Sequence, residues 1–134
     1  MECRKALEET KGDFKKAEAL LTKWGIERSE KKVDRETKAG HIDSYIHAGG
    51  KVGVLLELLC ETDFVARTDD FKRLSHELCL QISSMEPKDV KTLLKQEYIR
   101  DPKIKIEDLV KAVIGKLGEN ITIARFTRFK LGEK

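Results

Sequence analysis

The chain has 134 residues, 38% of them charged and 40% hydrophobic, which suits one compact domain with at most a short helical appendage. A formal net charge of +3, with basic and acidic residues intermixed, argues against a surface dedicated to polyanions. The longest apolar run, within Lys51–Cys60, is too short for a membrane span and contains Glu57.

Cys3, Cys60 and Cys79 are odd in number, widely spaced and free of a CxxC pair. They read as free thiols of a reducing compartment, not as a disulfide framework or a zinc site. Met1–Trp24 is charged throughout and carries no secretory signal. These features predict a cytoplasmic protein that uses no membrane, and no metal or cofactor site is legible.

Taken in order, Glu2–Glu9 suits a short helix broken at Lys11-Gly12. Asp13 is a suitable N-cap for a second helix, Asp13–Trp24, whose stripe is Phe14, Ala17, Leu21 and Trp24. Gly25 is predicted to stop it. Two short helices make a poor core, so Leu21 and Trp24 are expected to pack on the rest of the chain. Ile26–Lys38 has only Ile26 and Val33 as aliphatics and reads as a charged linker.

A hairpin follows. Gly40–His47 alternates, with Ile42, Ser44 and Ile46 on one face and His41, Asp43, Tyr45 and His47 on the other. Gly49-Gly50 marks the turn. In Lys51–Cys60, Val52, Val54, Leu56 and Leu58 share one face and Leu55 and Leu59 the other, which predicts a central strand covered on both sides. His41 and His47 lack the tight spacing of a metal site, and no GxxxxGK[ST] phosphate loop is present.

The polar stretch after that strand contains Glu61, Asp63 and Arg67 around Phe64. Most phenylalanines are buried, so Phe64 can simply fold back into the core. The alternative is that the strand presents Asp63 and Phe64 to something outside. Thr68-Asp69 then caps a helix to about Met85, with Phe71, Leu74, Leu78, Ile82 and Met85 as its stripe and Glu86-Pro87 as its end. Further helices are predicted over Asp89–Tyr98 and Ile106–Leu117, the latter stopping at Gly118. Asn120–Leu131 reads as a strand with Ile121, Ile123, Phe129 and Leu131 on one face, less regular at Arg125 and Phe126.

The elements amount to an α+β fold, a three-stranded antiparallel sheet packed with helices, with Lys51–Cys60 in the middle. No nucleophile, base and orienting group stand together, so a hydrolase is not supported and no catalytic residue is named. The final strand, with Arg125, Phe126, Arg128, Phe129 and Lys130, leaves a nucleic-acid-binding module as an alternative. Lysines that guard an edge strand against aggregation look the same.

Gly49–Arg67 (GGKVGVLLELLCETDFVAR) and Lys116–Glu133 (KLGENITIARFTRFKLGE) resemble two hallmark segments of the bacterial elongation factor Ts family. Cys3–Leu21 resembles that family's small ubiquitin-associated-like domain. The resemblance implies an incomplete helical segment of that kind at 1–25, a linker at 26–38 and a core domain at 39–134. Longer members of that family carry two core halves and a coiled-coil insertion. Here only Glu86–Leu117 separates the helix ending at Met85 from the last strand, so one half without the insertion is expected. In function the resemblance implies a guanine-nucleotide exchange factor that binds elongation factor Tu, does no covalent chemistry and needs no cofactor. In that family the TDFV segment pushes on the partner and displaces its magnesium ion. The role transfers to Thr62, Asp63, Phe64 and Val65, and it favours an exposed Phe64. A lone core half is expected to pair as a two-fold homodimer, and direct nucleic-acid binding is not expected.

Overall fold

The computed structural model of the chain describes residues 4, 5, 8 and 14–133. Most of the predicted first helix therefore lies outside the described residues, as does the Asp13 cap. Arg4, Lys5 and Glu8 are helical, and the Lys5 ammonium stands 5.6 Å from the centre of the Trp24 ring.

Helix α1 spans Phe14–Ser29 and runs straight through Gly25, which does not stop it. The reason lies in packing. Gly25 is buried where α1 crosses the later helix α5 (Ile106–Leu117), so close that a Cβ on Gly115 would enter the Gly25 backbone. Arg28 Nε adds a bond to the Gly115 carbonyl at 3.2 Å. Part of the expected linker is thus helical, and a 3-10 turn at Glu30–Lys32 follows.

Strands β1 (Ala39–His47), β2 (Val52–Cys60) and β5 (Ile121–Lys130) form one antiparallel sheet with β2 central, as the patterns predict. The β1–β2 register runs from Ala39↔Cys60 to His47↔Val52, closed by a turn in which Gly49 and Gly50 both take positive φ. On the inner face Val54, Leu56, Leu58 and Cys60 are buried beneath helix α3 (Asp69–Met85). Phe71, Leu74, Leu78 and Ile82 of that helix meet them, with Cys79 buried beside them, while Met85 at its end is exposed.

The expectation that β2 is covered on both faces is not met. Ile46, Gly53 and Phe129 form one row across the open side, and Ile46 and Phe129 are 65% and 71% exposed. Leu55 and Ile42 are exposed on the same side. Phe129 lies there because β5 bulges: Glu57 faces Arg125 but Leu58 faces Ile123, so Ala124 is the extra residue and the alternation changes phase. Ile121 and Ile123 face the core, whereas Phe129 and Leu131 do not.

Helix α4 is Val90–Lys95, shorter than the predicted Asp89–Tyr98. The buried side chain of Gln81 takes over the backbone beyond it, donating to the Glu97 carbonyl at 2.9 Å and accepting from Ile99 N–H at 3.0 Å. A buried amide needs such partners. Glu97–Tyr98 (β3) instead pairs with Asp101–Lys105 (β4), a small sheet that no periodicity announces. Helix α5 ends on Gly118 at φ 77°, as predicted. Among the described residues no helix is long and apolar enough to cross a membrane.

Candidate functional site

The junction between β2 and α3 is built from Glu61–Thr68. Thr62 has extended backbone (φ −132°, ψ 154°) and caps a single helical turn, α2 (Asp63–Ala66), its Oγ1 accepting from Val65 N–H at 3.3 Å. Thr68 caps α3 in the same way, accepting from Phe71 N–H at 3.2 Å, and its hydroxyl donates to the Val65 carbonyl at 2.7 Å. Two caps six residues apart thus force the chain to turn twice, with no room to lengthen either way.

Within this turn the side chains divide sharply. Val65 and Ala66 are buried in the core. Phe64, one residue earlier, is 80% exposed, and Asp63 is exposed beside it. Of the four residues singled out in the sequence, Thr62, Asp63 and Phe64 stand at the surface, and Val65 faces inward as their anchor. An aromatic so exposed on a turn so well tied is not core packing.

The turn is braced from across the fold by residues 118–120, between α5 and β5. Glu119 accepts from Thr62 twice, from N–H at 3.0 Å and from the hydroxyl at 2.7 Å. In the reverse direction Glu61 accepts from Asn120 N–H at 2.6 Å. Asn120 Nδ2 donates to the Arg35 carbonyl at 2.8 Å, and Arg35 lies 3.7 Å from Glu61. Cys60, buried below, donates to the Thr62 carbonyl at 3.1 Å. Burial pushes its thiol pKa up, and the Glu119 carboxylate adds to this. Glu119 is absent from the sequence-based set. Its nearest signal is the helix-stopping Gly118 before it, which says nothing of residue 62.

The remaining candidates sit elsewhere. The His41 ring meets Phe71 edge-on at 4.9 Å between centroids, and His47 Nδ1 is 2.9 Å from the Tyr45 hydroxyl. Among the described residues no three His, Cys, Asp or Glu side chains are grouped to hold a metal. On the final strand Arg125 pairs with Glu57 at 3.4 Å and Arg128 with Glu86 at 3.0 Å, so both arginines are engaged with carboxylates of the chain itself.

Comparison with known proteins points one way. A family model described as elongation factor TS matches residues 61–134, a span that holds both the turn and its brace. A protein of Coprothermobacter proteolyticus named elongation factor Ts is 43% identical, covering 99% of this chain and 90% of that protein. Those of Thermotoga neapolitana and Koribacter versatilis, of the same name, are 38% and 37% identical, covering 90% and 81% of their own lengths. The match to the Coprothermobacter protein runs over 178 positions against the 134 residues here, so at least 44 of its positions have no counterpart in this chain.

Proposed function

The chain belongs to the elongation factor Ts family of translation elongation factors, and we propose that it acts in the cytoplasm as a guanine-nucleotide exchange factor for elongation factor Tu. In this reading residues 39–134 are the core, preceded by a helical segment whose helix α1 continues to Ser29 and by a connection from there to Lys38. Within the Thr62–Val65 segment, Asp63 and Phe64 form the contact that disturbs the partner's magnesium ion, with Thr62 capping the turn and buried Val65 anchoring it. The observation that carries the reading is Phe64, 80% exposed on a turn anchored by buried Val65 and Ala66.

The physical argument needs no covalent step. Magnesium is the largest local charge in a nucleotide site and demands strict octahedral coordination, so a small displacement of its ligands costs it binding. A rigid aromatic can shift partner backbone, while Asp63 competes for the groups around the ion. Exchange is then differential affinity. The factor binds the empty partner more tightly than the loaded one, and nucleotide weakens the factor's binding by the same ratio. A thousandfold ratio corresponds to roughly 4 kcal/mol. The bare sheet face of Ile42, Ile46, Leu55 and Phe129 supports a further element of the reading, a two-fold homodimer through that face.

The test is release of fluorescent GDP from elongation factor Tu, set beside denaturant midpoints. Phe64→Ala is expected to slow stimulated release while costing well under the roughly 3–5 kcal/mol of a core phenylalanine truncation. Asp63→Ala slows release too, and its defect shrinks when magnesium is chelated. Unchanged release with lost stability in Phe64→Ala would make Phe64 a packing residue and end the proposal.

A further inference from the structure

We propose that Glu119 is a positioning residue for exchange, fixing Thr62 so that Phe64 is held in one orientation; the inference rests on the reading of Phe64 given above. An ionised carboxylate is acceptor-only and has two oxygens, so Glu119 can take both donors of Thr62 at once. The Thr62 hydroxyl has a single proton. With that proton committed to Glu119, its lone pairs are turned to Val65 N–H, the bond that starts the turn. The Thr62 carbonyl is taken as well, by the Cys60 thiol and by Ala66 N–H at 3.3 Å. Every polar atom of Thr62 is thereby occupied, two residues before Phe64.

Phe64 has little else to hold it. Its ring is exposed, and its carbonyl accepts from Arg67 N–H, at 3.3 Å, within the same turn. A wedge that yields when it meets the partner transfers no displacement, and ordering it at that moment costs affinity. Glu119 supplies rigidity from a different part of the chain, just after α5, so the turn is fixed to the helical layer as well as to its own strand. Thr62 is at the surface, so losing Glu119 leaves its donors to water rather than buried and unpaired. The pair therefore matters to geometry more than to global stability.

The test uses the full chain and GDP-loaded elongation factor Tu, with Glu119→Ala, Glu119→Gln, Phe64→Ala and the double Glu119→Ala/Phe64→Ala. Glu119→Ala is expected to slow release about tenfold, less than the roughly hundredfold a misplacement of about 1 Å can cost, with little change in denaturant midpoint. Glu119→Gln keeps one acceptor and falls between. The double variant should be no slower than Phe64→Ala alone, because both act through the same ring. In the free chain, hydrogen-exchange protection of the Thr62 amide should vanish in Glu119→Ala and persist in Phe64→Ala.

A wild-type release rate for Glu119→Ala beside a slowed Phe64→Ala would overturn the inference and leave the exchange reading standing. Additive defects in the double variant would also overturn it, since Glu119 would then be touching the partner itself. If Glu119→Ala does not fold, Glu119→Gln carries the comparison, and a wild-type rate with the Thr62 amide no longer protected overturns the inference equally. A wild-type rate for Phe64→Ala would bring down the exchange reading and this inference with it.

Discussion

The two faces of the sheet draw on similar residues and meet opposite surroundings. On β2, Leu56 is fully buried against α3 while its neighbour Leu55 is 49% exposed. On β1 the contrast runs against hydrophobicity: polar His41, Asp43 and Tyr45 turn toward the helices, and aliphatic Ile42 and Ile46 turn away. Two of the inward polar groups are partnered, Asp43 accepting from the buried Ser75 hydroxyl at 2.6 Å and Tyr45 meeting the His76 ring edge-on, while His41 Nε2 is buried without a hydrogen-bond partner among the described residues. Because strand periodicity is two, β1 cannot turn one residue without turning all of them. Its face is set by its pairing with β2 and by the groups α3 offers, and its own apolar count does not decide. The aliphatic side chains of the open face gain little from burial unless something else covers them.

The largest expected effect sharpens this contrast on a single strand. Leu56→Ala should destabilise the chain by about 2–5 kcal/mol, whereas Leu55→Ala should cost under about 1 kcal/mol, both read from denaturant midpoints. Equal losses would mean that the open face is packed in solution, which a second copy could explain. Next comes Ile46→Asp. It should leave the folding of one chain within about 1 kcal/mol but abolish self-association in light scattering. A wild-type chain that stays monomeric at high micromolar concentration would break the comparison from the other side, leaving the aliphatic face without a partner.

The smallest expected effect is no reaction at all. In a Cys3→Ser background, Cys60 and Cys79 should ignore a thiol reagent at pH 8 until the chain is unfolded. Both are buried, and burial, with Asp43 adding to it, pushes the Cys79 thiol up to about 12. Rapid labelling of Cys79 in the folded chain would show the helix-covered face to be as open as the other.

How much of this was legible follows from how local each cause is. The β2 alternation, the Thr68 cap, the Gly49-Gly50 turn and the Gly118 stop are decided within a few residues, and each stands where the sequence predicts it. Helix α1 passing Gly25, the early end of α4 at Lys95 and the reversed phase of β5 are not local. They depend on Gly115, on the Gln81 side chain and on an extra residue at Ala124 respectively. The site divides in the same way. Phe64 could be read as buried or presented, and the resemblance to a family favoured presentation. Glu119 lies 57 positions from Thr62, and no spacing rule connects them.

The crossing of α1 over α5 works as a key with one seat. Moved by one helical turn, about 5.4 Å, α1 would bring Leu21 or Ser29 over Gly115, where even a Cβ at position 25 would stand 3.2 Å from the Ala112 carbonyl oxygen. An ordinary apolar contact would tolerate several such offsets at similar energy. This one disfavours alignments that place a side chain at the crossing, so the glycine pair contributes discrimination between arrangements as well as closeness in one of them. Helix α1, whose contact with α5 is the most extensive between helices among the described residues, is thereby set in its alignment as well as held.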